Sequence, residues 1–107
     1  MRSRCPIVQN RFRRLINMSP PEIRAWAKDP RAKWASFAET RKRLPMLADL
    51  VAKTGEWTDK DCRYARRVNS FNARMQGMVG VHGCTDKMTV ALRNWGRQPP
   101  GCKLPKR

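Results

Sequence analysis

Residues 58–78 read TDKDCRYARRVNSFNARMQGM and carry the longest helical pattern in the chain. Thr58, followed three residues later by Asp61, is a capping pattern that begins a helix. Acidic residues in the first turn also suit the positive end of the helix dipole. The pattern predicts a helix over residues 59–78 whose side chains fall on three faces.

The three faces of this helix differ in chemistry. The apolar face predicts the core contact and holds Tyr64, Val68, Phe71, Met75 and Met78. The basic face holds Arg63, Arg66, Arg67, Ser70 and Arg74. The third face holds small and amide side chains, namely Cys62, Ala65, Asn69, Asn72, Ala73 and Gln76. Because a solvated face is rarely free of charge, the third face predicts a second packed neighbour, with its two asparagines hydrogen-bonded to backbone or to a partner.

The basic face has two interpretations. It can be a solvated face whose side-chain stems cover apolar surface, or a ridge that binds phosphates or carboxylates. The ridge is favoured because Asp59 and Asp61 are the only acids within the predicted helix. Arginine also suits bidentate contacts with either anion. We therefore predict an acidic partner for the four arginines of this face.

Helix signals outside this segment predict an all-α domain. Capping boxes begin at Ser19 and Ser36, and Thr85 begins the last helix. Pro45 and Gly55 bound another helix between them. No strand alternation and no long-period repeat is present. The predicted fold is a compact bundle of about four to five short helices with basic N- and C-terminal arms.

Charge is concentrated at both ends of the chain. Residues 1–17 are predicted to be a basic arm, either extended or a short amphipathic helix, residues 18–96 the helical domain, and residues 97–107 a basic proline-rich tail. Such arms usually lie on a partner and are disordered without one. The arm residues predicted to contact an acidic partner are Arg2, Arg4, Arg11, Arg13, Arg14, Arg97, Lys103, Lys106 and Arg107.

The overall charge indicates the kind of partner. The 107 residues include 24 Lys and Arg against 8 Asp and Glu, for a formal charge of +16. Charges at this density repel one another and oppose compaction. Nucleic acid is the first candidate partner, and an acidic protein surface or an anionic membrane is the second. No apolar run approaches the ~18 residues of a membrane span, so no span is expected.

Four cysteines and one histidine suggest a metal site, but their spacing does not support one. There is no C-x-x-C, and His82 and Cys84 are the only close pair, with Cys62 and Cys102 each about twenty residues away. Unpaired thiols are therefore expected. Two alternatives stay open: a zinc site built from these four residues, and a disulfide between Cys84 and Cys102.

The chain lacks the usual parts of an active site. It has one histidine, no glycine-rich phosphate loop and no nucleophile elbow. Cys84 near His82 is a candidate activated thiol, but the glycine between them gives no reason for the side chains to face each other. We expect no enzyme, no cofactor and no small-molecule substrate.

The four tryptophans are expected to play different parts. Trp26 and Trp95 lie on apolar helical stripes and are predicted core residues. Trp57 precedes a helix cap and is predicted to act as a hydrophobic staple. Trp34, next to Lys33, is the tryptophan that we expect to be available for stacking on bases.

Four short strings carry a resemblance to a group of viral proteins. They are SPPEIRAW (19–26), FNARM (71–75), HGCT (82–85) and LRNWG (92–96). On these strings the chain resembles small basic proteins encoded by large double-stranded DNA viruses, over roughly residues 19–104. The resemblance implies a virion component, either packaged with DNA or cementing the capsid shell. It assigns no functional residue.

The leading functional expectation is a non-enzymatic structural protein of a virus particle, a minor capsid component that bridges other virion proteins or double-stranded DNA. The alternative is a cellular nucleic-acid-binding protein in the cytoplasm or nucleus, such as a ribosomal accessory protein. A helix-turn-helix DNA binder is a further form of this alternative. Helix 45–54, the turn at Gly55 and helix 59–78 resemble its outline.

Overall fold

The computed structural model describes residues 4–35 and 38–106. Within this part of the chain there are six α-helices, one short 3-10 helix and no strand. The α-helices are α1 (Pro6–Leu15), α2 (Pro20–Ala27), α3 (Ala38–Lys42), α4 (Leu44–Ala52), α5 (Asp59–His82) and α6 (Asp86–Arg93), and the 3-10 helix is Pro30–Trp34. The predicted all-α bundle is confirmed, and α1 is the helix that the sequence left open.

Side chains begin α2 and α5 as the sequence predicts. The Ser19 hydroxyl accepts a hydrogen bond from the Glu22 N–H at 3.3 Å, and the Glu22 carboxylate accepts one from the Ser19 N–H at 3.0 Å. Thr58 and Asp61 form the same reciprocal pair at 3.1 and 2.9 Å. These bonds satisfy N–H groups that have no acceptor within the helix. The capping box predicted at Ser36 lies outside the described residues.

Helix α5 is four residues longer than predicted. It ends at His82, where Gly83 adopts a φ of 80° that glycine tolerates without a steric penalty. Gly77 and Gly80 lie inside the helix, since an internal glycine costs only about 1 kcal/mol and does not end a helix. The 24 residues of α5 span about 36 Å, most of the 43 Å length of the molecule.

The core lies where α2 packs on α4 and where α1 packs on α5. The largest fully buried apolar side chains are Phe12, Ile23, Trp26, Leu44, Leu47, Trp57 and Leu92. The ring of Phe12 on α1 meets the ring of Trp57 edge to face, with centroids 5.3 Å apart. The predicted burial of Trp26 is confirmed, and α1 contributes to the same core.

The small and amide face of α5 packs against neighbours. Asn69 donates a hydrogen bond from Nδ2 to the carbonyl of Val8 on α1 at 3.1 Å. Asn72 donates from Nδ2 to the carbonyl of Trp95 at 3.0 Å. The prediction of a second neighbour on this face, with both asparagines bonded to backbone, is confirmed.

The apolar face of α5 is less buried than predicted. Val68 is fully buried, but Tyr64, Phe71 and Met75 are half-buried and Met78 is 40% exposed. The buried residues of α5 are Cys62, Ala65, Val68, Asn69, Asn72 and Val79. Small side chains let α1 approach closely, whereas the longer apolar ones extend to the molecular surface.

The C-terminal tail packs on the helices. The side chain of Asn17 and the backbone of Gln98 exchange two hydrogen bonds, each 2.7 Å long. Arg31 donates to the carbonyl of Pro105, a buried residue, at 2.7 Å. These contacts place the tail against the helical domain.

Two disulfides use all four cysteines. The Cys84–Cys102 bond is the alternative that the sequence left open. The Cys5–Cys62 bond joins residues 57 apart in sequence, and packing of α1 on α5 brings their Cα atoms to 6.1 Å, within disulfide range. The expectation of unpaired thiols is therefore wrong, and the zinc site and the activated Cys84 thiol are excluded with it.

Candidate functional site

Four arginines project from one side of α5. Arg63, Arg66, Arg67 and Arg74 are all exposed, and the first and last are about 16 Å apart along the helix axis. In the part of the chain that the structure describes, no carboxylate oxygen lies within 4.0 Å of any of these four guanidinium groups. The structure thus brings the predicted helix residues together as a row of uncompensated charge, here called the arginine row.

Helix α4 borders a basic hollow beside the arginine row. The hollow has a volume of about 910 Å³, and its basic lining residues are Arg43, Lys53, Lys60, Arg63 and Arg67. Arg66 does not line it, because its position is turned about 60° around the helix from that of Arg63. Arg43 and Lys53 were not among the predicted site residues. Both directly flank the short apolar helix α4, and this position in the sequence could have identified them.

The two acids in the basic hollow are already paired. Asp49 accepts a hydrogen bond from Arg24 at 2.8 Å, and Asp61 accepts one from Lys53 at 2.7 Å. Burial raises the pKa of Asp61, but hydrogen bonds from Lys53 and from the Thr58 N–H outweigh burial and hold the pKa below its ordinary value. Both carboxylates therefore leave the arginine row uncompensated.

Tyr64 lines the same hollow and is half-buried. Burial raises the pKa of Tyr64 to about 12, although the positive charges of Arg43 and Arg67 act against the shift. The phenol therefore stays neutral in the ordinary pH range. It offers an O–H donor to an anion in the hollow and adds no negative charge.

A second hollow lies along the C-terminal half of α5 and is apolar. Its volume is about 550 Å³, and its apolar wall includes Phe71, Met75, Met78, Met88 and Trp95. The rings of Phe71 and Trp95 are stacked, with centroids 4.7 Å apart and planes at 24°. These five residues define what we call the methionine groove.

A third hollow, of about 360 Å³, joins the other two. Arg43, Arg67 and Arg74 line it together with Phe71 and Trp95. The guanidinium carbon of Arg74 lies 6.0 Å from the centroid of the Phe71 ring. The three hollows form one furrow along α5 that is basic at its N-terminal end and apolar at its C-terminal end.

The arm cations that the structure describes do not line this furrow. Arg11, Arg13 and Arg14 are exposed on α1, and Lys103 and Lys106 are exposed on the tail. Any contact of these five cations with a partner therefore takes place on surfaces other than the furrow. Arg2 and Arg107 lie outside the described residues.

Two of the predicted arm cations, Arg4 and Arg97, make polar contacts within the molecule. Arg4 pairs with Asp59 at 3.3 Å. Arg97 donates from Nε to the side chain of Gln76 at 2.8 Å and from Nη1 to the carbonyl of Leu15 at 2.9 Å. Burial lowers the pKa of Arg97. The Arg97 guanidinium thus links α5 to α1, and its predicted role in partner binding stays a prediction.

Tryptophan exposure differs from the prediction at one position. Trp34, at the end of the 3-10 helix, is 48% exposed and does not line the furrow, so its stacking on bases stays a prediction. Trp95, predicted as core, is the tryptophan that lines the furrow. Met88 and Trp95 share a helical stripe, and such a stripe has the same sequence pattern whether it is buried or lines a groove.

The structure gives no indication of a metal site or a membrane span. Within residues 4–35 and 38–106, no three His, Cys, Asp or Glu side chains lie close enough together to hold a metal ion. None of the helices in the same ranges combines the length and apolar character that a bilayer crossing requires.

Comparisons with known proteins add no relative: no family model matches the chain, and neither a curated protein nor a solved structure is significantly similar to it.

Proposed function

We propose that the protein is a non-enzymatic structural protein of a virus particle. In this proposal the arginine row binds packaged double-stranded DNA, and another surface of the protein contacts a second virion protein. The protein acts as a small bridge between the two. Its resemblance to small basic proteins of large DNA viruses and its charge of +16 support this assignment.

The arginine row is the observation that carries the proposal. Acids elsewhere on the molecule pair with Arg4, Arg24, Arg31 and Lys53, while the four arginines of α5 have no such partner among the described residues. Like charges this close together repel within the ~8 Å Debye length of physiological salt. Phosphate groups remove that repulsion, and release of their counterions adds to the affinity.

The covalent structure supports a role in a particle. The two disulfides hold α1 and the tail against the helices. Disulfides persist in oxidising settings, such as a virion after assembly. The single histidine, His82, is exposed. Because the disulfides use all four cysteines, no cysteine is left for a zinc site or an activated thiol beside it. A structural role needs none of these groups to react.

A DNA titration tests the arginine row. The variant Arg63→Gln/Arg67→Gln/Arg74→Gln is compared with the native chain on random duplex DNA at several salt concentrations. Because each neutralised phosphate contributes about −0.9 to the log–log salt slope, we expect the slope to become shallower by about 2 to 3. Affinity at low salt is expected to fall at the same time.

The matched control removes three charges from α1 with Arg11→Gln/Arg13→Gln/Arg14→Gln. The proposal predicts a clearly smaller change for this variant than for the α5 variant. Equal losses in the two variants would show that DNA senses only net charge and would contradict the assignment to α5. A consensus selected from a random duplex pool would favour the helix-turn-helix alternative instead.

The place of the protein in the particle requires a separate measurement. After stepwise disruption of purified virions, the proposal predicts that the protein is found at the contact between shell and DNA core and is released from the core by salt. Its absence from purified virions, with recovery on ribosomes, would favour the cellular alternative.

A further inference from the structure

The methionine groove is an apolar surface that the DNA-binding proposal does not use. Met75 and Met88 are half-buried and Met78 is 40% exposed, so their side chains remain accessible from solvent. Exposed apolar patches with a polar rim mark interaction sites on soluble proteins. Methionine side chains adapt their shape to different apolar partners.

The charge around the groove indicates what it binds. Lys87 lines the groove itself, and Arg43, Arg67 and Arg74 line the hollow that continues it. No acidic side chain of the described residues lines either hollow. A complementary partner therefore combines apolar and acidic side chains. A second copy of this chain does not fit that description, because it has 24 basic residues against 8 acidic ones.

The dimensions of the groove suit a helix. Phe71 and Met78 are two turns apart on α5, about 10 Å along its axis. Apolar side chains at positions i, i+3 or i+4, and i+7 of a docked helix span the same length. Along this course the helix would pass Lys87, which lines the groove, and Arg43, which lines the hollow that continues it, where acidic side chains find their counter-charges.

We propose that the methionine groove binds an acidic amphipathic helix of a partner protein. The apolar stripe of that helix lies against Met75, Met78 and Met88, and its acidic residues pair with Lys87 and Arg43, which are not part of the arginine row. Nucleic acid does not suit the groove, because phosphates would lie against methionine and because one face of the Trp95 ring is already stacked on Phe71. This inference adds a protein-binding surface to the proposed DNA-binding one.

A peptide selection tests the proposal without assuming a partner sequence. Random peptides of about four helical turns are displayed and selected on the full, disulfide-bonded chain. We expect enrichment of sequences with apolar residues at helical spacing and acidic residues between or beside them. A synthetic enriched peptide is then titrated against the native chain and against Met78→Lys. Because Met78 is exposed, this substitution leaves the fold intact, and we expect about tenfold or greater loss of affinity.

Two controls separate groove binding from simple charge attraction. Ile7→Lys places the same charge at another exposed apolar residue, on α1 and outside the furrow, and is expected to bind the peptide as the native chain does. A scrambled peptide of the same composition is expected to bind weakly. Equal loss with both lysine variants, equal binding of the scrambled peptide, or no enrichment over an unrelated basic protein would overturn the proposal.

Duplex DNA binding distinguishes this inference from the proposed function. Met78→Lys is expected to bind duplex DNA as well as the native chain does. If it loses affinity for single- or double-stranded DNA together with the peptide, the groove belongs to nucleic acid and the protein-helix assignment is wrong. If DNA binding fails in the native chain but the peptide binds, only the proposed DNA role is lost.

Discussion

At the scale of single residues, Asn94 joins three parts of the fold. Its side-chain oxygen accepts a hydrogen bond from Trp26 Nε1 at 2.8 Å, and its Nδ2 donates to the carbonyls of Ala32 and Ala35, both at 3.0 Å. Asn94 is 1% exposed, so loss of these bonds would leave buried polar groups without partners. The helical periodicity around residue 94 does not indicate this role.

Of the six glycines, Gly96 is the one where an added Cβ would meet another atom within 4 Å. Its φ is 85°, and a Cβ there would lie 2.9 Å from Cδ1 of Ile16 and 3.0 Å from Cδ2 of Leu47. We expect Gly96→Ala to lower the free energy of unfolding by about 3 to 5 kcal/mol, the sum of backbone strain and overpacking. Urea denaturation of the two proteins measures the difference.

Gly101→Ala is the control for backbone strain alone. Gly101 has a φ of 79°, but a Cβ there would meet no atom within 4 Å. Its substitution is expected to cost about 1 to 2 kcal/mol. If both alanine variants were destabilised equally, the contacts with Ile16 and Leu47 would not explain the glycine at residue 96.

At the scale of elements, each face of α5 has a different environment. Its small and amide face packs on α1, its apolar face reaches the core and the methionine groove, and its basic face is exposed. The face composition predicts this division because a helix side chain keeps its angular position whatever packs against it. How deeply the apolar face is buried depends on where α4 and α6 pack, and the sequence of α5 alone does not determine their positions.

The Cys5–Cys62 bond is expected to hold α1 on α5. The chain-entropy relation for a loop of 57 residues gives a stabilisation of about 4 kcal/mol. The variant Cys5→Ala/Cys62→Ala is therefore expected to unfold at lower denaturant concentration and to expose Trp57, whose ring packs on Phe12. Tryptophan emission during denaturation, and hydrogen exchange of α1, measure both effects.

The second disulfide provides the matched comparison. The Cys84–Cys102 bond closes a shorter loop of 18 residues, for which the same relation gives about 3 kcal/mol. Cys84→Ala/Cys102→Ala should be less destabilising and should leave exchange in α1 unchanged. Two results would contradict the assignment of the Cys5–Cys62 bond as the one that holds α1 on α5. One is faster hydrogen exchange of α1 in this variant, and the other is unchanged exchange of α1 in Cys5→Ala/Cys62→Ala.

At the scale of the whole molecule, charge opposes the fold. The formal charge of +16 is carried by a molecule with a radius of gyration of 13.5 Å. We expect the melting temperature to rise as salt is increased from about 10 mM to about 1 M, because the Debye length falls from about 30 Å to about 3 Å over that range. A screening gain of about 1 kcal/mol corresponds to roughly 4 to 8 °C for a domain of this size.

Duplex DNA at low salt is expected to raise the melting temperature, as high salt does. A ligand that binds only the folded state raises its stability, so DNA is expected to raise the melting temperature in low salt and to lose this effect as salt increases. A melting temperature that falls with salt in the free protein would mean that the internal ion pairs outweigh the repulsion. The premise of an anionic partner would then be wrong.

Sequence alone determined the all-α fold class, the helix caps at Ser19 and Thr58, the sign of the charge, the shared face of Arg63, Arg66, Arg67 and Arg74, and the packed amide face of α5. Each of these depends on residues within a few positions of one another. Tertiary structure decided the rest: the disulfide partner of Cys5, the structural contacts of Arg97, and the furrow that combines the arginine row with the methionine groove. These features depend on residues that are far apart in sequence, such as Arg97 and Leu15, which are separated by 82 residues. No local pattern encodes which distant surfaces meet, because the packing of all helices at once sets that outcome.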